Sequence, residues 1–173
     1  EFHPEGDVYV HTRLMLSLLP RDAALPVVLA VLFHDIGKPG TRTIDPDGGR
    51  IRFNGHEGLG AAMTLRIMER LRFSNAEIEE TVAMVRNHMA FKDVRNMRKS
   101  TLRRFLARPT IEGEMELHRV DCLGSHGLLD NYDFLLAKRE ELANEPLVPP
   151  PLITGRHLIA FGWKPGPRFK AVL

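Results

Sequence analysis

Along most of the chain, apolar residues recur three and four positions apart, the spacing that lines one face of an α-helix. Val10, Leu14 and Leu18, with Met15 and Leu19 beside them, predict a helix from Asp7 that ends at Pro20. A second helix is predicted over 22–35, and its run LPVVLAVLF is apolar on all sides, which predicts a place at the centre of the core. Pro26 suits its first turn, and Gly37, Pro39 and Gly40 stop it. Residues 41–53 alternate on either side of Asp45-Pro46-Asp47-Gly48-Gly49, the chemistry of a tight turn, so a small β-hairpin is expected. Helical spacing then resumes from His56 to Leu71. Ser74-Asn75-Ala76-Glu77 is a capping box opening a helix whose Ile78, Val82, Val85 and Met89 share a face. Ser100 or Thr101 is expected to cap a helix carrying Leu102, Phe105 and Leu106. Thr110 is expected to cap one carrying Ile111, Met115, His118 and Cys122, and Asp130 one that runs to about Asn144. The pattern predicts an all-α fold, a helical bundle with one small hairpin inserted after residue 38.

Glu145 to Pro151, EPLVPPP, reads as a stiff connector, dividing a helical domain over 1–145 from a tail over 146–173. In the tail, Thr154 is expected to cap a helix that Gly162 ends, and Gly166-Pro167 to open another that the end of the sequence cuts short, as in a part of something longer. GWKPGPRF interleaves aromatic and basic residues, as an RNA contact or as a packed turn.

Composition narrows the classes. Of 173 residues, 43% are hydrophobic and 27% charged, which argues against a disordered chain. No apolar run is long enough to span a bilayer and the first residues have no leader pattern, so no membrane partner is expected. Cys122 is the single cysteine, which leaves neither an internal disulfide nor a thiolate metal cage and fits a cytoplasmic setting. The formal charge is only +2, but it is uneven. Residues 91–109 hold seven basic residues against Asp93, a net of +6, and the other seventeen basic and twenty-one acidic residues leave −4. Within this segment Arg95, Lys99, Arg103 and Arg104 are candidate nucleic-acid contacts; a solvated helix face is the alternative.

The chemistry concentrates at His34-Asp35-Ile36-Gly37-Lys38, where the most apolar helix runs out. A carboxylate buried there needs a partner, and a metal ion is an economical one. A helix C-terminus with exposed His34 and Lys38 is the plainer alternative. His11, His56, His88 and Asp121 lie on other predicted helices or at their ends, which suits a site assembled in a bundle core. His3, His118, His126 and His157 have no coherent spacing with these, His118 being the strongest exception, one turn before Asp121. Met63, Met68, Met84, Met89 and Met115 read as core filling, and Ser125 as packing or a cap.

The ordered pattern H…HD…H…H…D, with HDIGK at its centre, resembles the HD superfamily of metal-dependent phosphohydrolases from Gly6 to Ser125. The resemblance implies that His11, His34, Asp35 and Asp121 hold a first metal, that His56 and His88 add ligands for a second, and that Lys38 approaches the substrate phosphate. Asp7 stands where some two-metal relatives have a Glu. The stretches EGDVYVHT, LAVLFHDIGKPGTR, IRFNGHE, LRFSNAEIE and LITGRHLIAFGWKPGPRFKAVL are similar to the HD-containing part of bacterial CCA-adding tRNA nucleotidyltransferases and poly(A) polymerases. That family carries a separate nucleotidyltransferase head with a paired-Asp motif, which this sequence lacks, so the chain by itself is not expected to polymerise nucleotides.

Imidazole and carboxylate ligands without thiolate favour one or two divalent ions among Mn, Fe, Co, Ni and Zn, with Mg at a carboxylate-rich position. Such ions activate water and polarise phosphoryl groups. The expected catalytic residues are Asp35, ligating or bridging metal and orienting water, and Lys38, neutralising charge on the phosphoryl group. An uncoordinated His56 or His88 is a candidate acid or base. The expected function is hydrolysis of phosphate esters of nucleotides or RNA ends, with a phosphorylated small molecule or tRNA as partner. The alternative is an RNA-binding module with a vestigial site, and a phosphodiesterase for cyclic dinucleotides is a weaker third reading.

Overall fold

A computed structural model describes residues 7–45, 49–142 and 153–172. The helices are α1 (Val8–Leu18), α2 (Leu25–Phe33), α3 (Lys38–Thr41), α4 (His56–Arg70) and α5 (Asn75–Asn87). A 3₁₀ segment over His88–Asn96 follows, then α6 (Lys99–Leu106), α7 (Ile111–Gly124), α8 (Asp130–Leu142), α9 (Gly155–Ala160) and α10 (Pro167–Val172). The strands β1 (Thr43–Ile44) and β2 (Ile51–Arg52) pair antiparallel, Thr43 opposite Arg52 and Ile44 opposite Ile51. The fold is all-α with one minimal hairpin, as the spacing of apolar residues predicts. The centre of the hairpin turn and the Pro-rich connector, with the domain boundary set there, lie outside the described residues. Among the described residues no helix is long and apolar enough to cross a membrane.

Among the described residues, two packed clusters make the core. Met15, Ala30, Val31, Ala61, Met84, Val85, Leu117 and Val120 join α1, α2, α4, α5 and α7. Phe91, Val94, Leu102, Phe105, Leu106, Ile111, Met115, Leu135 and Leu142 join the 3₁₀ segment to α6, α7 and α8. The first cluster is the platform of the site, because each of its five helices ends in or carries one of the candidate ligands.

Several local expectations are corrected. The buried face of α1 is His11, Thr12 and Met15, one position round from the predicted row, and Val10 and Leu14 face outward. A helix at the edge of a small bundle buries a narrow stripe, and here two polar residues occupy it. Only Ala30 and Val31 of α2 are fully buried, while Leu25 and Leu32 stay nearly half exposed, so α2 lies against the core and not through its centre. Its first turn begins after Ala24 with Pro26 in place. The α5 periodicity breaks at His88, where the chain tightens to 3₁₀ and turns Met89 outward to a neighbouring cavity; Met68, Met84 and Met115 are core residues. Helix α6 starts at Lys99 after Arg98, so neither Ser100 nor Thr101 caps it. Thr110 does precede α7, but its hydroxyl donates to the Glu114 carboxylate at 2.7 Å instead of accepting from the helix. The Ser74 capping box is present, its hydroxyl accepting from Glu77 N–H. In the tail, His157 Nδ1 accepts from Thr154 N–H at 3.0 Å, an imidazole standing in for the usual Glu at that position, and Gly162, at φ 84°, ends the helix as expected.

Candidate metal centre

The turn after α2 delivers two polar side chains to the interior at once. His34 closes the helix in αR geometry, Asp35 follows, and the backbone then folds tightly, with Ile36 N–H on Phe33 O and Lys38 N–H on Asp35 O. Gly37 makes this turn possible. A Cβ there would stand 2.2 Å from His56 O and 2.8 Å from Gly60 N, both backbone atoms, so only hydrogen fits between the turn and the start of α4. The same contact fixes His56, whose helix begins after Gly55 in a left-handed conformation at φ 81°.

His11, His34, Asp35, His56 and His88 are all buried, and Asp121 is partly so. The four imidazoles share one pattern. Nδ1 faces a backbone carbonyl in each: Gly124 O at 3.3 Å for His11, Val31 O at 2.9 Å for His34, Phe53 O at 2.8 Å for His56 and Val85 O at 2.6 Å for His88. A carbonyl only accepts, so each Nδ1 carries a proton, and in the neutral ring each Nε2 keeps its lone pair. Those Nε2 atoms turn inward. His11 Nε2 is 3.1 Å from Asp121 Oδ1, His34 Nε2 is 3.2 Å from Asp35 Oδ2, and His56 Nε2 is 3.5 Å from Asp35 Oδ1 and 3.0 Å from His88 Nε2. Histidines that bind metals are oriented in the same way, by a second hydrogen bond from the far ring nitrogen.

Ligand atoms of His11, His34 and Asp35 lie within 4.8 Å of one another, and so do those of Asp35, His56 and His88. Donors about 2.1 Å from a shared ion have separations compatible with that span. Both groups include Asp35, so its two oxygens face two neighbouring positions. His34 Nε2 and Asp35 Oδ2 are buried without a hydrogen-bond partner, although Lys38 Nζ makes an ion pair with Oδ2 at 2.6 Å. Imidazole nitrogens and a carboxylate gathered this closely suit a positive charge beyond that of Lys38. The residues present therefore fit a divalent cation.

The electrostatics agree. Burial by itself would raise the pKa of Asp35, but the His34 ring 3.2 Å away, with Lys38, holds it far below the ordinary range. Asp121 is likewise lowered against the effect of burial, mainly by the His11 ring that faces it. Burial disfavours charge on His34, yet the carboxylates of Asp35 and Asp121 raise its pKa overall. His88 goes the other way, pushed down to about 4 by burial and by the neighbouring His34. The centre is a pair of fixed anions ringed by imidazoles, one of them strongly biased to stay neutral.

A cavity of about 440 Å³ opens onto the centre, lined by His34, Asp35, Lys38, Phe53, Asn54, Gly55, His56, Glu57, His88, Met89, Lys92 and Asp121. Asn54, Glu57 and Lys92 were not singled out by spacing, since nothing in a lone surface-type residue signals a cavity wall. Asp7 is exposed and accepts from Val10 N–H as the cap of α1, so it takes no place in the centre. Ser125 donates to Asp121 O, a cap as expected. His118 stacks on Phe91 at 4.5 Å, and His126 is exposed. Of the candidate RNA contacts, Lys99 and Arg104 are exposed on α6 and Arg103 is partly buried. Arg95 is exposed but engaged, donating to Asn131 Oδ1 at 3.0 Å and Asp130 O at 2.8 Å. A further buried carboxylate was not anticipated: Glu114 accepts from Asn87 at 2.8 Å, Arg108 at 2.9 Å and Thr110.

This set of helices and inward-facing His and Asp residues defines a class of helical, divalent-metal-binding domain. The chain belongs to the HD domain family, whose model matches residues 8–123. Among curated proteins it is 36% identical to the A-adding tRNA nucleotidyltransferase of Deinococcus radiodurans, over 96% of this chain and 41% of that protein. It is also 36% identical to the CC-adding tRNA nucleotidyltransferase of Thermus thermophilus, over 88% of this chain and 35% of that protein. The Multifunctional CCA protein of Burkholderia multivorans is 33% identical over 62% of this chain and 25% of its own length. The chain thus spans about two fifths or less of the relatives it matches. No solved structure gives a significant match.

Proposed function

We propose that this chain is a metal-dependent phosphohydrolase that cleaves phosphate esters of nucleotides or RNA ends. One observation carries the reading: four buried imidazoles have Nδ1 tied to backbone carbonyls and Nε2 turned toward two carboxylates or one another. His11, His34, Asp35 and Asp121 would hold a first ion, and Asp35, His56 and His88 a second. Bound ions supply a polarising charge and acidify water. The chain's own groups do the rest. Asp35, kept anionic, orients the attacking water, and Lys38, held against it at 2.6 Å and over the Phe53 ring at 5.7 Å, offers its charge to the phosphoryl group. Residues 1–145 form the unit that carries this chemistry, and 146–173 a connector and tail.

The tRNA nucleotidyltransferases among the relatives support an RNA-processing setting. Metal analysis of untagged protein, with hydrolysis of bis-nitrophenyl phosphate and of 2′,3′-cyclic nucleotides, tests the proposal. Bound metal with turnover in Mn, Co or Ni is expected; no metal and no turnover in any of these or in Mg overturns it.

The exposure of Lys99 and Arg104 favours a second reading, in which α6 contributes to tRNA binding whether or not the centre is active. Binding that survives Asp35→Ala but weakens on replacing these two residues supports it.

A further inference from the structure

The metal centre has a second neighbour. A separate cavity of about 380 Å³ shares His88, Met89, Lys92 and Asp121 with the one described above, and continues away from the centre along Phe91, His118, Cys122 and Asn131. Its volume is within the range of small-ligand sites. We infer that this cavity binds the nucleoside part of a nucleoside monophosphate whose phosphate lies at the metal centre, with Lys92 as phosphate anchor and His118 as base contact. The inference rests on the proposal that a phosphate ester occupies the centre.

Three features point to this ligand. The wall is aromatic, His118 lying on Phe91 with ring centroids 4.5 Å apart and planes inclined by 19°. With Phe91 buried beneath it, His118 alone offers the π-surface on which a base would stack, whatever its identity. Beyond the stack, the His118 ring nitrogens have only the Cys122 sulfur nearby, at 3.6 and 3.7 Å, so they have no nitrogen or oxygen hydrogen-bond partner among the described residues. They are left for a sugar hydroxyl beside the stacked base. Lys92 stands on the boundary of both cavities, is exposed, and makes no ion pair or hydrogen bond among the described residues. Lys38, which pairs with Asp35, lines only the first of the two cavities. An uncommitted ammonium between a metal centre and an aromatic wall matches the charge and shape of a phosphate joined to a nucleoside. Asn131 holds the wall in place, donating to Phe91 O at 3.1 Å and accepting from Arg95.

Calorimetric binding to the Mn²⁺-loaded chain separates the parts. The probes are methylphosphonate, adenosine, a 5′-phosphonate of adenosine with a C–P bond that cannot be hydrolysed, and the same phosphonate at the end of a trinucleotide. The nucleoside phosphonate is expected to bind at least about tenfold more tightly than methylphosphonate, as a stacked base requires. His118→Ala should remove that advantage and His118→Phe restore most of it, while both leave methylphosphonate affinity unchanged. Lys92→Ala should weaken both phosphonates and leave adenosine unaffected. Trinucleotide binding equal to that of the mononucleotide assigns the subsite to RNA ends, and weaker binding assigns it to free nucleotides; either supports the subsite. Equal affinity for methylphosphonate and the nucleoside phosphonate overturns it, as does indifference to both Lys92→Ala and His118→Ala. Because no probe is turned over, a chain without hydrolytic activity that still shows this pattern would refute the proposed reaction and leave the subsite standing.

Discussion

His56 Nε2 and His88 Nε2 lie 3.0 Å apart while the Nδ1 atoms of both rings are engaged by carbonyls, Phe53 O for one and Val85 O for the other. With both rings neutral, two lone pairs at that distance repel unless a cation stands with them. His88→Ala is therefore expected to lower metal stoichiometry by one ion and leave the ion of His11 and His34 in place. Elemental analysis after gel filtration measures this, and unchanged stoichiometry would remove His88 from the ligand set.

Gly37 is the tightest point of the fold near the centre. Gly37→Ala drives a methyl group into His56 O and Gly60 N and is expected to cost at least about 2 kcal/mol, since neither backbone atom can yield easily. Urea unfolding reads the loss. Gly58→Ala, where a Cβ meets nothing within 4 Å, is the control and should be neutral or slightly stabilising.

The Glu114 carboxylate is fully buried and holds Asn87, Arg108 and Thr110. Glu114→Ala leaves those donors without their acceptor, for an expected loss of about 3 kcal/mol. Glu114→Gln keeps one acceptor and should lose less. Chemical denaturation of both variants checks the order, and equal losses would show that the negative charge of Glu114, and not a neutral acceptor in its place, carries the whole contribution.

How much of this was legible in the residues depends on what each signal measures. Helical spacing located the elements because every helix has an apolar stripe, and the ordered His and Asp residues marked the centre because each sits at the end of a core helix. The register of α1 departs from its apolar row because its buried stripe is filled by His11 and Thr12, polar residues that a hydrophobicity pattern counts as solvent-facing. Glu114 was invisible for the same reason: a carboxylate among Glu112 and Glu116 reads as surface until its three donors, drawn from two other segments, are seen around it. The basic run at 92–108 looked uniform, yet Arg95 and Arg108 are engaged by Asn131 and Glu114, whereas Lys92 is not. Pairing across the fold is tertiary information, and no local pattern carries it.

The Ser74–Glu77 box carries a pH dependence. Hydrogen bonds from the Ser74 hydroxyl and backbone N–H lower the pKa of Glu77 below its ordinary value of 4.5. A carboxylate with a lowered folded pKa stabilises the fold above its unfolded value and loses that contribution as pH falls through the folded one. Ser74→Ala should thus lower the melting temperature near pH 7, with the gap to wild type narrowing on acidification below pH 4.5. A gap that stays constant over that range would contradict the linkage.

Exposed Lys99 and Arg104 are expected to contribute to tRNA affinity through phosphates, each substitution by Ala reducing the salt dependence by about one counterion. Arg95→Ala should do less, because its guanidinium is already engaged by Asn131 and Asp130. Filter binding at several salt concentrations distinguishes these, and identical slopes for all variants would exclude α6 from the contact.

Asp35 is common to both groups of ligand atoms, so the whole account turns on it. The most direct measurement is the Mn²⁺ content and affinity of wild type against Asp35→Asn, with circular dichroism confirming that both are folded. Wild-type protein binding one or two ions and a folded Asp35→Asn that binds neither tightly is the predicted result. Wild-type protein that binds no Mn²⁺, Co²⁺, Ni²⁺ or Zn²⁺, or an Asp35→Asn variant that binds them as tightly, would contradict it.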